Sequence, residues 1–200
     1  MIGPHINVCS PAALAELAPL GAGRWVPPLE LALEAVALVN AAQDRVVGPA
    51  GPIQTEVFAF GRMPLAFSAG CFTARHQRLN KDECDFRCRD DSDGLLLTTD
   101  EGQPFLVLNG TQTQSAALHC LIGAGALLAA AGVQRLRLSP CNCGFARVSA
   151  LFDAVLNAGA PVAPALTELS ALGLPGVQVD GCSRRRSGME SMATSTETAT

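Results

Sequence analysis

Residues 60–88 read FGRMPLAFSAGCFTARHQRLNKDECDFRC, an apolar run that leads directly into a polar, arginine-rich loop. The loop holds Cys71, Cys84 and Cys88, and the rest of the chain has the pattern of a scaffold around it. Thiolates are the soft ligands that select iron–sulfur clusters, zinc or Cu(I). Because three thiolates supply most of a coordination sphere, the sequence predicts a metal site in this loop.

The spacing of these cysteines favours one kind of metal site over another. Cys84 and Cys88 form a short arm, and Cys71 follows the apolar run. A structural zinc site usually has two C-x2-4-C arms, and the sequence shows no obvious second arm. Three clustered cysteines with a fourth, remote one are more typical of a cubane iron–sulfur site. The alternative is that these are free cysteines without a ligand role, although such residues are usually buried and this loop is charged.

The scaffold reads as strands alternating with helices, which predicts an α/β fold of parallel βα units. The expected strands are residues 2–8, 24–26, 55–68 and 133–138; the expected helices are 12–20, 29–40, 115–131 and 145–157; and a hairpin is expected at 95–99 and 104–108. In such folds ligands gather at the carboxyl ends of the strands. The cysteine loop follows one of these ends.

Length, composition and charge limit the class of protein. The chain has 200 residues, 48% of them apolar, and a net charge of −4. These values predict one domain over residues 1–180, followed by a mobile tail over residues 181–200 that is rich in Ser, Thr and Arg. They give no indication of a nucleic-acid partner. No stretch has the length of a membrane span and no signal peptide is apparent, so we expect a cytoplasmic protein.

Several other residues are candidates for the fourth metal ligand. Cys9 follows the first expected strand, so it would face the same rim as Cys71, although a cysteine at such a junction more often only packs. Cys141 and Cys143 form a C-x-C turn, but nothing in the sequence brings that turn to Cys71, so they rank below Cys9. His76 lies inside the loop, where a histidine is more often simply solvated.

The charged residues around the loop suggest a ligand-binding role. Arginine forks match carboxylates, so the basic residues favour an anionic dicarboxylate, while the alternative is that they offset neighbouring acidic side chains. The basic residues are Arg62, Arg75, Arg78, Lys81, Arg87 and Arg89. Glu30, Glu56 and Arg62 lie where strand ends would place them near the rim.

The run EVFAFGRMPLAFSAGCFTARHQRLNKDECDFRC resembles the peptidase-U32-like family, and within it the UbiV-type subunits of oxygen-independent ubiquinone biosynthesis. Further matches are GPHINV near the start, RWVPPLEL at residues 24–31 and GQPFLVLNGTQTQS at residues 102–115. The resemblance covers roughly residues 3–138. It implies a TIM-barrel-like architecture, a [4Fe–4S] cluster, and a heterodimer with a UbiU-type sister subunit.

The resemblance also implies an activity and a ligand set. The two subunits together would hydroxylate a ubiquinone precursor without O2, with prephenate as the oxygen donor. Three cluster cysteines fall on Cys71, Cys84 and Cys88. In the family the first barrel strands and the fourth cluster cysteine precede the segment that matches GPHINV, so we expect a partial barrel and a truncated member.

Two other functions remain open at this stage. The first is a peptidase, as the family name suggests, although His5, His76 and His119 are scattered and no Ser–His–Asp or HExxH set is readable. The second is a module without catalytic activity that binds zinc or a partner protein. Zinc retained without visible absorption would favour this second alternative.

Overall fold

The computed structural model describes residues 1–190, the side chain of Lys81 excepted, and these residues form two compact units. Unit 1 comprises Met1–Phe60, Cys120–Leu138 and residues 179–190. Unit 2 comprises Gly61–His119 and Ser139–Gln178. The sequence predicted a single incomplete barrel domain over residues 1–180. Of the predicted tail, residues 181–190 belong to unit 1, and residues 191–200 lie outside the described residues.

Helices and strands alternate along most of the chain. In chain order they are α1 (Pro11–Leu17), β1 (Arg24–Trp25), α2 (Leu33–Val39), β2 (Val47–Gly48), β3 (Gly51–Pro52), β4 (Gln54–Phe67), α3 (Phe72–His76), β5 (Leu95–Thr98), β6 (Pro104–Asn109), β7 (Gln112–Cys120), α4 (Gly125–Ala130), β8 (Arg135–Leu138), α5 (Phe145–Leu156), α6 (Val162–Ala171) and β9 (Gln178–Val179). The strands pair in both parallel and antiparallel fashion, so the protein is a mixed α/β protein.

Unit 1 contains the parallel pairs that the βα pattern predicted. Strand β4 pairs in parallel with β1 and with β8. Helix α1 begins where expected, because the Ser10 hydroxyl accepts a hydrogen bond from the Ala13 N–H and Pro11 occupies the first helical position. The core is apolar, and its fully buried side chains include Leu14, Trp25, Ile53 and Phe60.

A buried asparagine ties the chain around α2 to the start of β4. The Asn40 amide donates to the Ile53 carbonyl oxygen at 2.8 Å and to the Thr55 hydroxyl at 2.9 Å. Its side-chain oxygen accepts from the Val46 N–H at 3.1 Å. Because every one of these groups is paired, a polar side chain is stable inside an apolar unit.

Unit 2 is built on an antiparallel meander in which β5 pairs with β6 and β6 pairs with β7. The β5–β6 hairpin confirms the prediction. The predicted helix at residues 115–131 is wrong, because β7 continues to Cys120 and α4 begins only at Gly125. Strands β6 and β7 form a second hairpin, which was not predicted. Its signal in the sequence is Asn109-Gly110 between two strand-like runs, and Gly110 has φ +59° in the turn.

Two further elements differ from the sequence prediction. The strand predicted at residues 2–8 is a 3-10 helix, Pro4–Ile6, and only Ile2 forms a β-bridge there, with Trp25. Proline has no backbone N–H, so it cannot donate to a strand ladder. Helix α6 was not predicted; its Pro164 lies in the first turn, where the missing N–H has no intrahelical partner.

Two features of the described residues follow from these elements. The strands described within residues 1–190 do not form a closed barrel, and the sheet carries antiparallel as well as parallel pairs. No helix in this part of the chain is long and apolar enough to cross a bilayer.

Candidate functional site

The three predicted metal ligands lie in unit 2, on a segment of short helical turns. Cys71 is the N-cap of α3, and its Sγ accepts a hydrogen bond from the Ala74 N–H at 3.5 Å. Cys84 ends the 3-10 helix Lys81–Glu83, and Cys88 lies inside the next one, Arg87–Arg89. All three thiols are free and partly exposed, so they are accessible to a metal.

Thiol donors suit a soft metal, but the three thiols are not gathered around one position. The Cys88 thiol donates to the Phe86 carbonyl oxygen at 3.7 Å. Asp85 and Phe86, between the last two cysteines, both have positive φ, which is uncommon for such residues. Within residues 1–190, no group of three or more His, Cys, Asp or Glu side chains is placed to hold a metal ion. The segment supplies three thiols, and a bound metal would require them to draw together.

The free cysteines of unit 1 differ in their surroundings. Cys9, the first choice from sequence, is exposed. Cys120 is buried, and desolvation raises the pKa of its thiol to about 11. Burial also raises the pKa of Cys182, with a contribution from the Glu30 carboxylate. Since a thiolate is the ligand form, burial makes Cys120 a poor ligand at neutral pH.

The C-x-C turn of unit 2 contacts the end of the charged stretch that follows Cys88. The Asn142 N–H donates to Asp93 Oδ1 at 3.2 Å. The Cys141 thiol donates to the Cys143 carbonyl oxygen at 3.0 Å, and the Cys143 thiol donates to the Gly173 carbonyl oxygen at 3.4 Å. Burial raises the pKa of Cys141, and the nearby Cys143 and Asp93 raise it further. The sequence contained no sign of this contact, which joins residues 49 positions apart.

A cavity of about 170 Å³ adjoins this turn within unit 2. It is lined mainly by polar residues: Gly61, Arg62, Ser92, Asp93, Asn109, Gln114, Leu118, Ser139, Pro140, Cys141, Asn142 and Pro175. Liquid water takes about 30 Å³ per molecule, so the cavity has room for several waters or one small polar ligand. Its lining residues include one arginine, one carboxylate and one thiol.

Arg62 is engaged with the main chain rather than with a carboxylate. Its guanidinium donates to the carbonyl oxygens of Ser115, at 3.0 Å, of Ala116 and of Pro175. Burial lowers the pKa of Arg62, and the charge of Asp93 acts in the opposite direction. Its Nε is buried and has no hydrogen-bond partner within the described residues. Arg62 therefore joins β4 to β7 and to the loop before β9.

Glu56, predicted near the rim, is a buried carboxylate in unit 1. Its side chain is only 6% exposed. It accepts from Arg24 Nη1 at 2.6 Å and from Arg137 at 2.7 Å. Two arginines hold one carboxylate, so the cluster carries an excess positive charge. Glu30, the other predicted rim carboxylate, is exposed.

The remaining arginines of the loop and His76 have local partners or are exposed. Arg87 lies 3.7 Å from Asp90, and the Arg89 guanidinium lies 5.7 Å from the centre of the Phe86 ring. Arg75, Arg78 and His76 are exposed. At Arg87 the observed ion pair agrees with the alternative interpretation, in which a basic residue offsets a neighbouring acidic side chain.

A family model matches the part of the chain that contains the cysteine segment and the C-x-C turn. The family model described as Peptidase family U32 matches residues 2–156. No solved structure gives a significant match to the chain. The match extends over both units and leaves α6, β9 and the residues that follow outside it.

Proposed function

Because the chain belongs to peptidase family U32, we propose that it is a UbiV-type iron–sulfur subunit of an O2-independent hydroxylation system in ubiquinone biosynthesis. The observation that carries the proposal is the set of three free, partly exposed thiols, Cys71, Cys84 and Cys88, on one segment of unit 2. A structural cysteine is usually buried and inert, whereas these are accessible and lie among charges.

In this proposal the three cysteines hold a [4Fe–4S] cluster in the cytoplasm, and a fourth ligand completes it. The cluster, when bound, supplies one-electron transfer at a potential set by its surroundings. A UbiU-type subunit is the proposed partner, a ubiquinone precursor the substrate and prephenate the oxygen donor. The exposed Arg75 and Arg78 beside Cys71 are the side chains available to a carboxylate of such a donor.

In this proposal, the parallel strands β1, β4 and β8 belong to a TIM-barrel-like arrangement. They pair side by side in unit 1, each with its neighbour in parallel. Functional residues of such barrels follow the carboxyl ends of the strands. Cys71 fits this rule, since it comes four residues after β4 ends at Phe67.

The test is anaerobic purification of the chain, with and without a UbiU-type subunit, followed by iron, sulfide and zinc analysis and a visible spectrum. We expect about four irons and four sulfides per chain. Cys71→Ala should lose them. Cys182→Ala is the matched control, because it removes a half-buried thiol of unit 1 and should retain the metal.

The same preparations distinguish the alternatives. Zinc without iron, lost in Cys71→Ala, would replace the redox proposal with a zinc-binding module, and no metal in either preparation would refute both. Loading that survives Cys9→Ala but fails in Cys141→Ala would assign the fourth ligand to the C-x-C turn. For the peptidase alternative, His76 is exposed and His119 is buried. This alternative would be supported if the chain hydrolysed denatured casein and the Cys71→Ala variant retained that hydrolysis.

A further inference from the structure

One face of the parallel strands in unit 1 carries three arginines and one carboxylate. Across β1 and β4, Arg24 is paired with Gln54. Across β4 and β8, Arg135 is paired with Glu56. Side chains two positions apart on a strand share a face, which adds Arg137 and joins both pairs into one arginine cluster. Because Arg24, Gln54 and Arg135 are the first residues of their strands, the arginine cluster lies at the amino ends of the strands.

A buried carboxylate holds two of the three guanidinium groups in place. Glu56 accepts from Arg24 through Oε2, at 2.6 Å, and from Arg137 through Oε1, at 2.7 Å. The Glu56 side chain is 6% exposed, whereas those of Arg24 and Arg137 are 35% and 38% exposed. A guanidinium has five N–H donors, so each arginine retains donors after its bond to Glu56. The two groups are therefore oriented from below and remain accessible from solvent.

The partners of the other N–H groups in the arginine cluster are uncharged. Arg135 is exposed, and its Nε donates to the Gln54 side-chain oxygen at 2.7 Å. Arg137 Nη2 lies 3.5 Å from Met1 Sδ, and a thioether is a weak acceptor. Among residues 1–190, Glu56 is the one carboxylate that forms an ion pair with these arginines. Three arginines and one carboxylate leave two surplus positive charges on this face.

We propose that the arginine cluster binds a phosphate group, either inorganic phosphate or a phosphate monoester. Such a group carries about two negative charges near neutral pH, so it offsets both surplus charges at a single point. Its oxygens match the N–H forks of arginine. A single carboxylate offsets half of the surplus, and a dicarboxylate divides its charge between two separate groups. The inference goes beyond the proposed function, since it uses none of the cysteines.

The test is isothermal titration calorimetry of the full chain with sodium phosphate and, separately, with phenyl phosphate, at an ionic strength fixed with sodium chloride. We expect saturable binding of one phosphate group per chain. Arg135→Gln should weaken binding by about tenfold or more, because it removes a charge-assisted contact and leaves the Glu56 ion pairs in place. Arg147→Gln is the matched control, since it removes an exposed arginine of unit 2 and should bind phosphate like the wild type.

A second variant keeps the proposal testable if Arg135→Gln fails to fold, which the fluorescence of buried Trp25 reports. Gln54→Glu keeps the shape of the side chain and its oxygen acceptor for Arg135, but it adds a negative charge and should also weaken phosphate binding.

The proposal is overturned if phosphate does not bind the wild type, if Arg135→Gln and Arg147→Gln bind it alike, or if Gln54→Glu leaves binding unchanged. Tighter binding of succinate than of phosphate would also overturn it, in favour of a dicarboxylate. Binding of both phosphate probes would support a phosphate monoester as the ligand, and binding of inorganic phosphate alone would support the free anion.

Discussion

Replacing the buried carboxylate of unit 1 by its neutral isostere should destabilise that unit without altering its shape. In Glu56→Gln, both charge-assisted hydrogen bonds, 2.6 Å from Arg24 and 2.7 Å from Arg137, lose the negative partner. Removing one partner of a fully buried ion pair costs about 3–5 kcal/mol. The two arginines are 35% and 38% exposed, so water screens part of this loss. We expect a decrease of about 2 kcal/mol in the free energy of unfolding.

The assay follows the fluorescence of Trp25 during urea denaturation. Trp25 is the only tryptophan of the chain, it is fully buried, and it lies next to Arg24 in β1, so it reports on unit 1. The midpoint should decrease with the slope unchanged. Glu168→Gln is the control: it removes the carboxylate of an exposed pair with Arg147 in unit 2 and should leave the Trp25 midpoint unchanged.

A double-mutant cycle isolates the pair itself. Arg137→Gln alone should destabilise unit 1. The double variant should be destabilised by less than the sum of the two single effects, because the two residues share one interaction. A Glu56→Gln midpoint at or above that of the wild type would refute the reasoning. Additive effects within about 0.3 kcal/mol would refute it too, since they would show that the contact contributes no net energy.

Four further predictions concern single residues. Gly61 has φ +117° and an added Cβ would lie 2.7 Å from the Ser139 Cβ, so Gly61→Ala should lower the thermal midpoint more than Gly102→Ala, which has positive φ but open space. Cys120 should resist iodoacetamide at pH 8 in the folded chain and react in urea, as shown by mass spectrometry; exposed Cys9 should react in both states. Burial raises the pKa of Cys120 to about 11 in the folded chain, above the ordinary value of 9.0, so the unfolded chain loses this proton at lower pH. The free energy of unfolding should therefore decrease between about pH 9 and 11. The Cys120→Ala variant should lack this part of the pH dependence. Arg62→Lys should destabilise unit 2 by about 2 kcal/mol in thermal unfolding, because an ammonium lacks the planar fork that reaches several carbonyl oxygens; equal stability would contradict this role.

The sequence predicted those parts of the fold that local patterns determine. The start of α1, with Ser10 as its cap and Pro11 in its first turn, follows from residues adjacent in the chain. The β5–β6 hairpin and α5 were likewise expected. The predicted helix over residues 115–131 failed because the alanines of residues 115–120, in the run QTQSAALHC, favour a helix when only local propensity is considered. The segment is a strand because it pairs with β6, and a local sequence pattern does not contain that contact.

The same limit applies to the candidate site. That Cys71, Cys84 and Cys88 share one segment was visible from spacing alone. The partners of Glu56 lie 32 and 81 residues away, and Asp93 and Asn142 are 49 residues apart. No sequence window contains either pair, so the clamp on Glu56 and the anchoring of the C-x-C turn were not predicted.

The parallel pairing of β4 with β8 sets the earliest point during synthesis at which the central strands of unit 1 can pair. The Thr55 N–H donates to Gln134 Oε1 at 2.9 Å, across 79 residues of chain. At about 5–20 residues per second, a ribosome needs roughly 4 to 16 s to pass from one residue to the other. Throughout that interval the apolar residues 57–60 lack the neighbour that covers this side of the strand. In a growing chain, this side of β4 therefore stays uncovered until β8 has been synthesised.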